Sequence, residues 1–174
     1  GPFGSSLKKE SYVSKGYKIY GQEQVISGDL CFGDYYISKE KFDQLRRFSV
    51  NPDDLLISCV GTFGKIALIP KQIQEGIINP RLIKISPSQE QIFPKFLYQY
   101  LKSKIVFLQL DKFSRGGTMD IINSSILSKI LVFVPNINEQ KQIVSYLDKK
   151  TKIIDEKIIK NQNLVKLLQE KKQS

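Results

Sequence analysis

The chain has 174 residues, which is enough for one well-buried domain and an appendage but too short for two full domains. Its composition, 41% hydrophobic and 25% charged, is that of a globular chain and excludes a disordered one. The formal net charge is +10, which suits a polyanionic partner, and the absence of histidine removes the commonest general base and metal ligand.

The N-terminal part is predicted to form short strands. Residues 1–6 resemble a cloning or protease-cleavage remnant and are excluded from the fold prediction. Residues 7–37 mix glycine, tyrosine and β-branched residues, which is typical of short strands joined by glycine turns. Cys31 and Cys59 lie in apolar contexts without a paired spacing, so we expect two buried thiols of a cytoplasmic protein rather than a disulfide.

A helix and a strand pair are predicted next. Ser38 is suited to cap a short helix over residues 38–48. The apolar runs LLISCV (55–60) and KIALIP (65–70) predict two buried strands joined by the turn GTFGK (61–65). This turn does not fit a phosphate-binding loop, because only two residues separate its glycines where that loop needs four, and no Ser or Thr follows its lysine.

Four further segments complete the predicted domain. Residues 76–87 read as one strand, and residues 93–110 read as one helix because apolar residues recur near the helical spacing and Pro94 suits a first turn. Residues 114–125 are a loop by composition, and residues 130–135 are predicted as a last buried strand. Strands interspersed with two modest helices indicate a globular domain of the α+β class.

This α+β domain is predicted to cover residues 7–135 and to be followed by one long coiled-coil-type helix over residues 136–174. Asn136 and Glu139 fit a capping-box start, and no glycine or proline follows Glu139. Beyond it, apolar residues recur at steps of three and four, close to the repeat of a coiled coil. With the threonine and the asparagine that fill two gaps, the predicted helix–helix interface consists of Ile143, Leu147, Thr151, Ile154, Ile158, Asn161, Val165 and Leu168.

Two alternatives remain open for this helix. Its apolar stripe can pack on its own domain, or it can dock on a second helix. We favour docking, because a stripe of about 35 Å, at ~1.5 Å per residue, is longer than a domain of this size. Asn161 at an interface position is of the type that fixes the register and number of partners, although it can equally be a solvated residue at a splayed end.

The sequence has no recognisable catalytic constellation. Without histidine and with two cysteines, the usual zinc sites cannot form, and there is no G-x-G-x-x-G nucleotide loop. Pro52-Asp53 and Glu139-Gln140-Lys141 imitate a nuclease signature, but more than 80 residues separate them and Glu139 is already predicted as a helix cap. We therefore expect a protein without enzyme activity, metal or cofactor.

Hydrogen-bond donors recur on turns of the predicted domain. Arg suits the O6/N7 edge of guanine and Gln or Asn the N6/N7 edge of adenine, while Lys, Ser, Thr and backbone N–H groups suit phosphates. The glycines of SRGGTMD allow a backbone to approach a phosphate closely. The candidate DNA-contacting residues are Lys15, Lys18, Tyr20, Gln22, Gln24, Arg46, Arg47, Thr62, Lys65, Asn79, Arg81, Ser114, Arg115, Gly116 and Thr118.

The order of these motifs resembles a known family. The runs VNPDDLLISCVGTFGKIALIP, GIINPRLIKISP, FPKFLYQYLKS and SRGGTMDIINSSILSKILVFVPNINEQKQIVSYLD resemble the specificity subunit of type I restriction-modification enzymes, in particular one target-recognition domain and its spacer helix. The similarity covers most of residues 17–172. Its most specific part is the junction P-x-x-x-E-Q-x-x-I-x-x-x-L, formed by Pro135, Glu139, Gln140, Ile143 and Leu147.

The resemblance implies a non-catalytic subunit that reads double-stranded DNA for methyltransferase and restriction subunits. Members of this family typically carry two recognition domains, each for half of a split target, separated by antiparallel helices. A chain with one domain and one helix is then a fragment or a half-size subunit that pairs with a second copy or a second half through its helix. The alternatives are another nucleic-acid-binding accessory module, for example one for RNA, and a non-catalytic coiled-coil scaffold.

Overall fold

The structure is a computed structural model that describes residues 7–59, 65–114 and 122–173. The described residues up to Val134 form one compact unit, and those from Pro135 onward form a second. The first unit mixes strands with helices and the second is a long helix, so the predicted α+β class with a long C-terminal helix is confirmed. Within the described ranges, no helix is both long and apolar enough to cross a membrane.

Seven short strands in the described ranges form two sheets. The first sheet has the order β1-β3-β2-β6, in which β2 and β6 run parallel and the other pairs run antiparallel. The second sheet has the order β5-β4-β7 and is antiparallel throughout. The strands are β1 (Tyr12–Val13), β2 (Tyr17–Tyr20), β3 (Tyr36–Ile37), β4 (Leu55–Ser58), β5 (Ile66–Leu68), β6 (Gly76–Ile78) and β7 (Leu82–Ile85).

The prediction of strands alone over residues 7–37 is wrong between β2 and β3. Residues Gln22–Ser27 form the helix α1. The side-chain oxygen of Gln24 accepts the N–H of Gly21 at 2.8 Å at its start, and Gly28 ends it in the left-handed conformation with φ 78°. The first contact starts the helix and the second ends it after six residues, which is too short to show a helical repeat in the sequence.

The predicted strand pair and the helix before it are confirmed. Leu55 faces Leu68 and Ile57 faces Ile66 in the antiparallel register of β4 and β5. Of the turn between them, residues 61–64 lie outside the described ranges. The helix α2 covers Lys39–Gln44, and the hydroxyl of Ser38 accepts the N–H of Lys41 as its cap. A separate 3-10 turn, Arg46–Phe48, follows it, so the helix is shorter than predicted.

The predicted strand over residues 76–87 is in fact two strands that belong to different sheets. The chain leaves β6, makes a turn closed by the N–H of Leu82 on the carbonyl of Asn79 at 3.2 Å, and enters β7. Pro80 at the second turn position has no N–H to offer a ladder and fixes its own φ, which explains the break. The NPR turn is therefore a link between the two sheets.

The single helix predicted over residues 93–110 is broken in two. The helix α3 covers Pro94–Leu101, with Pro94 in its first turn as predicted, and α4 covers Lys104–Ser114. The break lets both helices place apolar residues in one cluster on the second sheet, where Leu97, Leu101, Val106 and Leu110 contact Leu55 and Ile57. The helix is interrupted because both halves pack on the second sheet, and the spacing of apolar residues in the sequence does not show that packing.

Two predictions near the end of the first unit are also wrong. Residues 130–135 form no strand, because the side-chain amide of Gln109 bonds both the N–H of Leu131 (2.8 Å) and its carbonyl (3.0 Å), which replaces a partner strand. Leu131 and Phe133 are 72% and 76% exposed rather than buried. The predicted loop over residues 114–125 runs into the short helix α5, Ser124–Leu127, which is capped by the side chain of Asn123, and residues 115–121 of that loop lie outside the described ranges.

The two cysteines differ from the predicted pair of buried thiols. Cys31 is exposed and Cys59 is partly buried, and neither forms a disulfide. The backbone carbonyl of Cys31 accepts from the ammonium of Lys18 at 2.9 Å, which directs the backbone of this loop, and not the thiol, toward the domain interior. An apolar sequence context therefore overestimated the burial of Cys31.

The second unit consists of the helix α6, Ile137–Gln173. The side-chain oxygen of Asn136 accepts the N–H of Glu139 at 3.0 Å, which confirms the predicted cap residue. The long helix predicted over residues 136–174 is thus observed over nearly its whole length.

Candidate nucleic-acid interface

The flanks of three donor-bearing loops meet at the peptide of Cys59. Its N–H donates to the carbonyl of Arg81 at 3.0 Å, and its carbonyl accepts the N–H of Ile122 at 2.8 Å. Cys59 precedes the GTFGK turn, Arg81 ends the NPR turn, and Ile122 follows residues 115–121, which hold most of SRGGTMD. Loops far apart in sequence therefore start from one edge of the second sheet.

A fourth donor-bearing segment, SKGYKIYGQEQ (14–24), reaches the same edge through α1. The side-chain amide of Gln22 donates to the hydroxyl of Ser58 at 2.7 Å, and the N–H of Asn79 donates to the carbonyl of Tyr20 at 2.8 Å. The N–H of Ser58 donates to the carbonyl of Lys65 at 3.1 Å, which places Lys65 opposite the end of β4. We call this set the Cys59 edge, and it consists of residues 21–22, 58–59, 65, 79–81 and 122.

The Cys59 edge carries exposed positive charge. Lys65 and Arg81 are both exposed, and none of the residues that define the edge is Asp or Glu. Arg81 offers a planar guanidinium that can pair bidentately with guanine, and Lys65 offers a point charge for a phosphate. Gln22 and Asn79, both partly buried, add side-chain amides beside them.

The backbone of Arg81 is held on both sides. Its N–H donates to the side-chain oxygen of Asn79 at 2.9 Å, and its carbonyl accepts from Cys59. Pro80 precedes it with a fixed φ. The flexible part of this residue is therefore its side chain, which suits a contact that must be made at one defined place.

Three of the predicted contact residues are structural in this fold. Lys18, Tyr20 and Gln24 are 2%, 0% and 1% exposed. The ammonium of Lys18 donates to the carbonyls of Cys31 and Gly33, and the hydroxyl of Tyr20 donates to the carbonyl of Gln74 at 2.6 Å. Alternation along β2 and packing of α1 turn these side chains inward, so we remove all three from the predicted contact set.

Three other predicted residues are exposed and belong to parts of the domain outside the set that defines the Cys59 edge. Lys15 precedes β2, at the opposite end of that strand from Gln22. Arg46 and Arg47 lie on the 3-10 turn after α2, where the guanidinium of Arg47 is 4.6 Å from the ring centroid of Phe48. Arg46 and Arg47 are positioned by the packing of Phe48 against the core.

The remaining predicted contacts lie at or beyond the limits of the described residues. Ser114 is the last residue of α4, and its side chain is outside the description. Thr62, Arg115, Gly116 and Thr118 lie outside the described residues.

Sequence reasoning missed the two residues that organise the edge. Ser58 and Cys59 sit inside the run LLISCV, which reads as a buried strand, and nothing in the run signals a hydrogen bond to Gln22 or to Arg81. Such pairings depend on which strands become neighbours, and a single sequence does not encode that in its local pattern. The polar serine at the end of an apolar strand was the one available signal.

The predicted interface of α6 is largely exposed. Ile154, Ile158, Val165 and Leu168 are each 48–55% exposed. Leu147, Thr151 and Asn161 are also exposed, and Ile143 is partly buried. Four more apolar side chains, Ile153, Ile159, Leu164 and Leu167, are exposed on the same helix, so its apolar surface is wider than predicted. An isolated helix seldom leaves so much apolar surface in water, which favours a partner for it.

Comparison with known proteins gives the family. The profile of the type I restriction modification DNA specificity domain matches residues 4–166, which is most of the chain. The chain belongs to this family. Its fold agrees with that of specificity subunits: a solved chain from work on complex assembly and conformational transition of the type I R-M system matches 86% of this chain with a TM-score of 0.63 and 19% identity.

Proteins named as specificity subunits are similar to this type I specificity domain. The type I restriction enzyme EcoBI specificity subunit of Escherichia coli is 32% identical over 62% of this chain. A putative type I restriction enzyme specificity subunit of Haemophilus influenzae is 27% identical over 76% of it. The solved HsdS subunit from Thermoanaerobacter tengcongensis matches 62% of the chain with a TM-score of 0.55 and 22% identity.

This specificity domain spans only part of those proteins. The matched region covers 23% of the E. coli subunit and 36% of the H. influenzae subunit. It covers 35% and 28% of the two solved chains. The chain is therefore comparable in extent to about a quarter to a third of these relatives.

The position of Cys59 predicts a difference in thiol reactivity. Burial raises the pKa of the Cys59 thiol, so less of it is thiolate at any given pH. We expect exposed Cys31 to react with a maleimide several-fold faster at pH 7.5, and Cys59 to accelerate as the pH rises past the ordinary thiol range, ~8.5. Peptide mass mapping measures both rates, and Cys31→Ser and Cys59→Ser variants assign them. Equal rates at pH 7.5 would contradict this position.

Proposed function

We propose that this chain reads the sequence of double-stranded DNA as the recognition module of a type I specificity subunit. The observation that carries the proposal is that described residues flanking the donor-bearing loops meet at the backbone of Cys59 in a member of this family. Exposed Arg81 and Lys65 at that edge supply one base-reading and one phosphate-binding group. Residues 7–135 are the recognition domain, and residues 136–174 form the spacer helix.

In this proposal the helix α6 sets the distance between two recognition domains. Its exposed apolar stripe docks on the same helix of a second copy, or on the equivalent helix of a second half of a longer subunit. Two copies related by a two-fold axis read a split palindrome whose gap is set by the helix length. Asn161 within the stripe fixes the register at some loss of stability.

The module itself carries out no chemistry. It directs methyltransferase and restriction subunits to the DNA and works in the cytoplasm, where those subunits would find the chromosome. Among the described residues there is no group of three His, Cys, Asp or Glu side chains that could hold a metal ion. The nuclease-like Asp53 is engaged by Lys71 and by the amide of Gln89, which gives it a structural role in its turn.

The proposal is tested by selecting duplexes from a randomised DNA pool with the full chain at about 50 mM salt, where phosphate contacts contribute most to affinity. We expect a bipartite consensus and an affinity that falls steeply as salt increases. Equal-length RNA duplexes should compete at least tenfold less well. A pool without any consensus, or RNA that competes equally, would overturn sequence-specific DNA recognition.

A further inference from the structure

We propose that Asn79 and Gly21 act together as positioning residues that set Arg81, and that Asn79 is not itself a base contact. This inference rests on the proposed function, in which Arg81 reads a base. Asn79 and Gly21 would influence specificity indirectly, because they fix the backbone of Arg81.

The polar groups of Asn79 are committed within the turn. Its side-chain oxygen accepts the N–H of Arg81 at 2.9 Å, and its main-chain carbonyl accepts the N–H of Leu82 at 3.2 Å. Its own N–H donates to the carbonyl of Tyr20 at 2.8 Å. This bond turns the Asn79 amide toward its own backbone, whereas a bidentate contact with adenine needs the oxygen and the nitrogen both to face the base.

The other end of the Asn79 side chain lies against Gly21. A Cβ added to Gly21 would lie 2.8 Å from the Asn79 amide nitrogen. The backbone of Gly21 is in the ordinary extended region, with φ −124°, so its conformation does not require glycine. A Cβ at position 21 therefore forces the amide end of the Asn79 side chain to shift.

Gly21 cannot move away from Asn79, because buried Gln24 holds it. The side-chain oxygen of Gln24 accepts the N–H of Gly21 at 2.8 Å, and its side-chain nitrogen donates to the carbonyl of Phe32 at 2.7 Å. With both ends of the Gln24 amide engaged, a larger residue at position 21 displaces the Asn79 amide instead. That displacement breaks the bond that orients the Arg81 backbone.

Loss of the Asn79 bond should affect the orientation of Arg81. With its N–H on Asn79 and its carbonyl on Cys59, Arg81 starts from a fixed Cα–Cβ direction. A bidentate contact to guanine tolerates little angular error, and a pre-set backbone lowers the entropy lost on binding. Loss of the Asn79 bond should therefore blur the one base position that Arg81 reads and leave the other positions sharp.

The experiment uses the full chain and the duplex that it selects. Arg81→Ala first identifies the base pair at which discrimination disappears. Asn79→Ala and Gly21→Ala should each lower discrimination at that base pair at least fivefold, and Asn79→Ala/Arg81→Ala should be no worse than Arg81→Ala.

Asn79→Ser should retain discrimination within about twofold, because a serine hydroxyl also accepts an N–H two residues on. Since serine lacks the amide that meets a Cβ, Gly21→Ala should be harmless in the Asn79→Ser background.

A second measurement needs no DNA and separates the two proposals. Amide hydrogen exchange at Arg81 should accelerate about tenfold in Asn79→Ala and in Gly21→Ala and stay slow in Asn79→Ser. Unchanged exchange in the first two variants would overturn the positioning role, as would a loss of discrimination in Asn79→Ser equal to that in Asn79→Ala. Exchange as expected, combined with no base preference in the unmodified chain, would instead overturn sequence-specific reading.

Discussion

Replacement of Arg81 by alanine is expected to weaken binding to the selected duplex by about 1–3 kcal/mol, or roughly 5- to 150-fold, and to remove discrimination at one base position. The reason is that its backbone is fixed at both ends while its side chain is exposed, so the lost group is one that binds without reorganisation. Competition with duplexes that carry single base changes measures both effects.

Two variants show which property of Arg81 matters. Arg81→Lys keeps the charge but loses the planar fork, so it should recover part of the affinity and little of the discrimination. Lys65→Ala should weaken all duplexes about equally and reduce the salt dependence, as expected for a phosphate contact. Arg46→Ala removes the same charge away from the Cys59 edge and serves as the matched control. An Arg46→Ala effect as large as that of Arg81→Ala would mean that the edge is not the reading surface.

The second large effect is expected on self-association through α6. Ile158→Lys places an ammonium in the middle of the exposed apolar stripe, where a paired helix would exclude water from it. We expect a chain that associates at micromolar concentration to become monomeric, as measured by sedimentation equilibrium. Because each residue advances about 100° round the helix, exposed Asn163 lies on another face, and Asn163→Lys makes the same change there.

Sedimentation equilibrium of an Asn161 variant tests the role of this residue. If it lies in a helix pair, Asn161→Ile should strengthen association and allow more than one oligomer size, because the polar restriction on register is gone. An unchanged sedimentation profile would identify Asn161 as a solvated residue. Dissociation by Asn163→Lys, or persistent association of Ile158→Lys, would contradict pairing through the stripe.

Local chemistry made part of the fold predictable. Ser38 caps α2 because a serine oxygen before a polar first turn is favoured in almost any context. The strands flanking GTFGK pair as expected, since two β-branched runs joined by a short glycine turn have few other options. The long helix follows from an uninterrupted run without glycine or proline.

Predictions failed where a distant partner decided the outcome. Lys18 looks like a surface donor by residue type, yet two carbonyls from residues 13 and 15 positions later satisfy its ammonium inside the domain. Leu131 and Phe133 look buried by hydropathy, yet Gln109 and Tyr100 hold their backbone groups so that the side chains stay outside. Both cases are tertiary hydrogen bonds that no local pattern contains.

The candidate site divides in the same way. Gln22, Lys65, Asn79 and Arg81 were predicted from their residue types on glycine- or proline-bordered turns, and the structure brings them to one edge. Their meeting point could not be predicted, because the Cys59 peptide links residues 59, 81 and 122 across three separate segments. Contact of Gln22, Lys65 and Arg81 with DNA stays a prediction, which the competition experiments test.

The double anchoring of residue 81 has a consequence for how such a module could change its target. Because main-chain atoms and neighbouring residues, rather than the guanidinium, hold the turn in place, the side chain at this position can be exchanged while its support stays intact. Arg81→Gln would then convert a preference for guanine into one for adenine at a single step. A single substitution would then change the target sequence while the turn that supports the side chain stays the same.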